Sequence, residues 1–487
     1  MQGQSSPVVL FLRLCLSHRK VVFVCTLAAA LFVTIQWAMI PLDVKHYEGA
    51  RSERFGAVPG HRTEKPNIVF ILADDYGWND IGYHNSFIRT PNLDRLASEG
   101  VKLENYYVQP ICSPSREQLM TGRYQIHYGL QHSVIMCDRP HGLPLDEVTL
   151  PQRLKENGYS TYMVGKWHLG FFRKEYMPLQ RGFERFFGYL TGGEDYWTHR
   201  KPSQFSKDPS EFHGLDLRDQ DKPVLDQNGT YSTHLFARKA IEMILNHDQS
   251  KPMFLYLPFQ AVHGPLEAPE EYKRIYEDID NSLVRTYAAM VTVMDEAVGN
   301  VTGALKHRGM WRNTILIFST GEHFLNGSTG ETKPLDGFDV WDTISTGAAS
   351  PRKEILHNID PLKPSSPLQS SHKLYGDIFN TSVYAALRSG DWKILTGSQD
   401  RGGWKHEGPS HNLFDKPNDP PEKSIWLFNI RSDPEEKKDL SDSHPGIVQD
   451  MLIKLAEYNK TAVSPFWPPR DLRANPALHG DLWGPWL

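Results

Sequence analysis

A chain of 487 residues can bury a large core, and with 11% aromatic and 23% charged residues it has the composition of a folded protein, not of a disordered or fibrous one. Its 53 basic and 58 acidic side chains leave a net charge of −5 without a basic stripe, so no nucleic acid is expected as a partner.

Arg13, His18, Arg19 and Lys20 close residues 1–20, a cytoplasmic or n-region, and precede an uncharged, mostly apolar run from Val21 to Leu42, the charge order of a secretory targeting segment. A cleaved signal peptide has about 7 to 15 apolar residues and a bilayer span about 20, so residues 21–42 read as an uncleaved type II membrane anchor, with a signal peptide as the other reading. Residues 43–65 are polar, lack periodicity and form a linker. Everything beyond is then lumenal or extracellular: lysosome, ER lumen or cell surface. Sequons at Asn228, Asn300, Asn326, Asn380 and Asn459 fit that compartment.

The fold begins at Pro66. Asn67 to Leu72 is a short, β-branched run, the expected look of a strand buried on both faces of a parallel sheet, with Asp74 and Asp75 at its carboxyl end. Thr90 to Ala97 reads as a capped helix with Pro91 in its first turn. In Cys112-Ser113-Pro114-Ser115-Arg116 a thiol sits in a polar, Arg-bearing turn, an unusual address for a structural cysteine, and a helix is expected from near Ser115. The bland alternative for Cys112 is a disulfide with Cys137, the other cysteine outside the targeting region. A helix at Leu150–Glu156 and a strand at Tyr159–Val164 lead to Lys166 and His168, which alternate about Trp167 and face one side of an extended segment. A helix at Ser232–His247 precedes the strand Met253–Pro258, which delivers His263, and a helix at Leu283–His307 precedes the strand Thr314–Phe318.

This alternation predicts an α/β fold in which functional residues gather at the carboxyl ends of parallel strands. His127, His132 and His199 fit that rule less well, and His127 and His132 are taken as structural. A main domain over 66–379 gives way to a smaller α+β subdomain over 380–487. Its short runs Ser382–Arg388, Trp392–Leu395 and Ser424–Phe428 read as strands, and Ile447–Tyr458 as an amphipathic helix.

Several of these motifs, in this order, resemble the sulfatase family: Asp74-Asp75, Cys112-Ser113-Pro114-Ser115-Arg116 with Leu119 to Tyr124, Gly165 to Gly170, and Ala261-Val262-His263. Gly122–His127, Arg181–Gly188 and Leu356–Pro361 look most like the arylsulfatase B group, although Glu184 stands where the family usually has Asp. The resemblance implies an alkaline-phosphatase-like, largely parallel mixed sheet flanked by helices. It also implies hydrolysis of aryl sulfates or of sulfated N-acetylgalactosamine in glycosaminoglycans. By resemblance, Cys112 lies in the Cys-x-Pro-x-Arg pattern read by the formylglycine-generating enzyme. The hydrated formylglycine attacks sulfur with one hydroxyl and releases the sulfate with the other. Arg116 stabilises that nucleophile, His168 assists release, Lys166 and His263 bind sulfate, and Asp74, Asp75 and residue 112 hold Ca²⁺.

The pattern breaks after Thr314–Thr320. Where the family continues with Asp-Asn-Gly-Gly, a Lys-bearing loop, a strand and a helix, this chain has Gly321-Glu322-His323-Phe324 and soon reaches Lys333 to Trp341. A block near 321–332 is therefore absent, and two calcium ligands, a sulfate-binding Lys and a sheet strand go with it. Ca²⁺ takes about 6 to 8 oxygen ligands, so its shell would be thin unless Glu322 contributed. Three readings follow: an active formylglycine sulfatase, a catalytically silent protein that binds sulfated glycans through Arg116, Lys166 and His263, or a phosphoesterase using Ser or Thr. Cys112 in its modification motif argues against the third.

Overall fold

The axis of the main sheet is β1 (Asn67–Ala73), all seven of whose residues are buried. In this computed structural model the described residues are 65–487 except 86, 204–211, 321–332, 364–374 and 398–422. The apolar run at 21–42, its flanks at 1–20 and 43–64, Glu322 and Asn326 lie outside them. Among the described residues no helix is long and apolar enough to cross a membrane.

Nine strands follow in chain order before the sheet is complete. They are β1, β2 (Ser160–Lys166), β3 (Arg185–Tyr189), the hairpin β4 (Arg200–Pro202) and β5 (His213–Leu215), then β6 (Arg218–Asp219), β7 (Lys222–Pro223), β8 (Met253–Pro258) and β9 (Thr314–Thr320). Seven of them form one sheet in the order β7-β6-β3-β2-β8-β1-β9, and β4 and β5 pair separately. From β3 to β9 every pairing in that sheet is parallel, and only the β3–β6 and β6–β7 pairings are antiparallel. The expected mixed, largely parallel sheet is what the chain forms.

Helices cover both faces: α1 (Pro91–Glu99), α2 (Cys112–Thr121), α3 (Leu150–Glu156), α4 (Ser232–Leu245), the short α5 (Glu270–Lys273), α6 (Ser282–His307) and α7 (Trp341–Thr346). The period-two geometry of β1 divides the core. Val69, Ile71 and Ala73 pack with Leu235 and Phe236 of α4 and Ala289, Val293 and Val298 of α6, whereas Ile68, Phe70 and Leu72 pack with Leu119 and Met120 of α2, Trp167 and Phe183. Local signals set the helix ends. The Asn281 side-chain Oδ1 accepts from the N–H groups of Leu283 and Val284 to start α6. Asp295 of α6 reaches across to α1, where its carboxylate accepts from the N–H groups of Asn92 (3.1 Å) and Leu93 (2.7 Å), a negative charge at a helix N-terminus.

Two local expectations are corrected. The helix expected from near Ser115 begins at Cys112, which therefore occupies its first turn. The extended run ends at Lys166, because His168 adopts a left-handed backbone with φ of 55°.

A second, antiparallel sheet has the order β10 (Glu354–Asp360), β11 (Tyr384–Ser389), β12 (Trp392–Thr396), β13 (Ile425–Asn429). One face carries α8 (Pro445–Thr461), whose Val448, Met451, Leu452 and Leu455 meet Leu356, Leu387, Ile394 and Leu427. Position 380 thus falls between the first and second strands of this sheet. Farther on, Ala474 and Trp483 return to the core beneath β1. At the opposite end of the main sheet, β9 is the edge strand. Its Thr314–Phe318 are only half-buried, as the edge position among the described strands entails. Asn228, Asn300, Asn380 and Asn459 are all exposed.

Two buried histidines make stability depend on pH. Burial pushes His141 down to about 4 and, with Lys393 and Arg388 nearby, His357 down to about 3. Unfolded histidine protonates near pH 6.5, so as pH falls the unfolded chain takes up protons first, and stability is full above about 6.5 and lost toward 4. The urea midpoint is expected to fall between pH 7 and pH 5, with a shallower fall in His357→Gln. Equal slopes in variant and parent would contradict the assignment.

Candidate active site

The site is assembled around the end of β1. The Asp74 N–H donates to the Ala261 carbonyl (2.9 Å) and its carbonyl accepts from Val262 N–H (2.8 Å), so the segment after β8 is stitched to the segment after β1. Asp74 is buried, and its two carboxylate oxygens are taken by different cations: Oδ1 accepts from Arg116 Nη2 of α2 (3.2 Å), and Oδ2 from Lys166 Nζ at the end of β2. Arg116 Nη1 also donates to the Lys166 carbonyl at 2.9 Å. Burial alone would raise the Asp74 pKa, but Lys166, Arg116 and His263 outweigh it and hold the carboxyl below its usual range.

Gly165 makes room for this arrangement: with φ of 125°, a Cβ there would lie 2.0 Å from the Pro258 carbonyl oxygen, so no other residue lets β2 lie this close to β8 just before Lys166.

Cys112 opens α2 at a partly exposed position, while Ser113 to Thr121 are all buried. No disulfide joins it to Cys137. Burial pushes the Cys112 thiol up, Asp74 and Asp75 add to the shift, and Lys166 and Arg116 only partly offset it. As a plain cysteine it is not poised as a thiolate.

Ser113 fastens α2 to its surroundings, its Oγ donating to the His168 carbonyl (3.2 Å) and accepting from Ile135 N–H (3.0 Å). His168 is buried, and its Nε2 bonds the Ile135 carbonyl at 3.0 Å. Because a carbonyl only accepts, the proton sits on Nε2 and Nδ1 keeps its lone pair. Burial, then Lys166 and Arg116, push His168 well below the usual histidine range, so it is neutral.

His263 is half-buried at the mouth, with Nε2 3.7 Å from Asp75 Oδ2 and Nδ1 bonded to the Gly264 carbonyl at 2.7 Å. Burial and Lys166 lower its pKa against the opposing pull of Asp74 and Asp75.

Cys112, Arg116, Lys166, His168, His263, Asp74 and Asp75 thus converge from four distant segments, as the strand-end rule requires. His127 and His132 are structural, bonded to Asp336 and Asp360, and His199 is buried against Glu194. One neighbour was overlooked. Tyr189 ends β3 directly opposite Lys166, and its buried hydroxyl has no hydrogen-bond partner among the described residues. The rule that found Lys166, applied to the end of β3, would have found it.

Calcium does not fit these residues. Both oxygens of Asp74 are committed to Lys166 and Arg116, and Asp75, with φ of 52°, turns its side chain out to 60% exposure. Among the described residues no three His, Cys, Asp or Glu side chains group as a metal site. The expected ligand set of Asp74, Asp75 and Cys112 is therefore not formed.

Removing one partner of a buried ion pair strands the other charge at a cost of about 3–5 kcal/mol. Asp74→Asn, which leaves both Lys166 and Arg116 without their carboxylate, is expected to lose stability on that scale, and adding Lys166→Met to recover part of it. Urea denaturation checks this, and additive losses in the double variant would show that the two side chains are not coupled.

A family model described as Sulfatase matches residues 66–340. Arylsulfatase J of Mus musculus is 45% identical over 488 residues, covering 87% of this chain and 81% of that protein. The N-acetylgalactosamine-6-sulfatase of Mus musculus is 31% identical over 298 residues, covering 58% of this chain and 54% of that protein. Among solved structures, the crystal structure of Ps i-CgsB superposes with a TM-score of 0.64 at 26% identity, covering 86% of this chain and 98% of that one. With the family's motifs gathered at one site on this fold, the chain belongs to the sulfatase family, the sulfuric ester hydrolases.

Proposed function

We propose that this chain hydrolyses sulfate monoesters with residue 112 as nucleophile, after conversion of Cys112 to formylglycine by the formylglycine-generating enzyme of the secretory pathway. The observation that carries this reading is the position of Cys112: a partly exposed residue in the first turn of α2, one helical turn before Arg116, in a Cys-x-Pro-x-Arg sequence and outside any disulfide. Its thiol is not poised as a thiolate, so conversion would supply what is lacking, a hydrated aldehyde whose hydroxyl is the nucleophile.

The other residues bind and orient. Lys166 and Arg116 give the pocket its positive groups, and the N-terminal end of α2 points its dipole toward the anion. His168, neutral and held by Ile135, offers Nδ1 as a proton acceptor. His263 lines the mouth, where it can donate to a sulfate oxygen. For substrates, the names of the relatives support aryl sulfates as test compounds and sulfated N-acetylgalactosamine as the natural class.

A second reading, a silent binder of sulfated glycans, is favoured by one observation: the calcium ligand set is not formed, because Lys166 and Arg116 occupy Asp74. Sulfate release from an aryl sulfate, with mass analysis of residue 112, separates the two. The parent is expected to turn over, and Cys112→Ala to lose all sulfate release while unfolding at an unchanged temperature. Activity surviving that substitution would sink the mechanism, and glycan binding without turnover would establish the second reading.

A further inference from the structure

The fixed charges of the site cancel. Asp74 and Asp75 bring two negative charges, Lys166 and Arg116 two positive ones, and both cations are already bonded to Asp74. A sulfate ester entering this cluster adds a further negative charge, and burying it needs a cation that is not tied to a carboxylate.

Lys201 is such a cation. It lies half-buried on β4, outside every motif used above, and its ammonium has no hydrogen-bond or ion-pair partner among the described residues. Its backbone is pinned: the Lys201 carbonyl accepts from Trp483 Nε1 at 2.8 Å, and Lys201 pairs with Gly214 of β5. Two residues on, Ser203 Oγ donates to Asp138 Oδ2 at 3.2 Å. Asp138 belongs to the segment that begins at Ile135, whose N–H bonds Ser113 of α2 and whose carbonyl holds His168. The hairpin, this segment and α2 are thus stacked in series, which brings Lys201 within electrostatic reach of Cys137, Lys166 and Cys112.

The described carboxylates nearby, Asp138 and Asp216, have other partners. Asp138 is paired with Arg470 at 2.7 Å, and Asp216 accepts from the N–H groups of Leu190 (3.0 Å) and Thr191 (2.8 Å). Burial accordingly holds the Lys201 ammonium below the ordinary lysine range. A half-buried ammonium without a partner among the described residues is unfavourable in the absence of an anion.

We propose that Lys201 is a substrate-binding residue that takes the sulfate group of the ester, as the uncommitted cation beside residue 112. This rests on the sulfate-ester reading for its ligand class, but not on turnover. The test is binding of inorganic sulfate to the full chain in EDTA, by calorimetry and by thermal protection, for the parent, Lys201→Gln and Lys201→Arg. The parent is expected to bind sulfate, Lys201→Gln to bind it about tenfold or more weakly, and Lys201→Arg to retain most of the affinity. With an aryl sulfate, Lys201→Gln should raise KM more than it lowers kcat.

Because the Gln variant removes an unpartnered charge, its unfolding temperature should be no lower than the parent's, so lost binding is not lost folding. Equal sulfate affinity in parent and Lys201→Gln, or no sulfate binding by the parent, overturns the proposal. Lys201-dependent binding by a parent that releases no sulfate upholds it while removing the hydrolytic reading.

Discussion

A single buried carboxylate, that of Asp74, organises this protein. It follows a strand with no access to water, and an ionised group there is tolerated only because Arg116 and Lys166 approach it from two other elements. Once those cations are drawn in, α2 is fixed against the end of β2, residue 112 is fixed in the first turn of α2, and the segment leading to His263 is tied to the same spot by backbone bonds. The chemistry-bearing residues and the most demanding electrostatics of the fold are therefore the same groups.

Much of this was legible in the sequence because strand ends are legible. Asn67–Ala73 and Met253–Pro258 are apolar, β-branched or aromatic runs of strand length, and polar residues just beyond them point to the carboxyl edge of a parallel sheet. Cys112 was legible for another reason, since its context is wrong for a core or a disulfide. The expected calcium set was not borne out by the geometry, because a ligand list says nothing of which charges will pair inside the fold. The Lys166 ammonium and a divalent cation would satisfy the same oxygens, and in this chain the lysine does so.

Other features could not be read in advance. The left-handed backbone of His168, between the buried Trp167 and Gly170, has no signal in the local sequence. Lys201 lies on a strand of three residues with no periodicity, and its place near residue 112 depends on a relay through Ser203, Asp138 and Ile135. The edge position of β9 was legible only by comparison with a family pattern that continues where this chain does not. Its Ile315, Leu316 and Ile317 are only half-buried, as befits an edge strand among the described residues.

The tryptophan beneath the β4–β5 hairpin has a consequence for how the molecule is made. Trp483 seals the core around Phe171 and anchors the Lys201 carbonyl from 282 positions downstream. A ribosome delivers residues at about 5–20 per second, so the sheet and the 201 hairpin emerge well before the residue that closes them. Until then the core around Phe171 lacks the ring that closes it, so this part of the fold is completed after the strands it covers have been made.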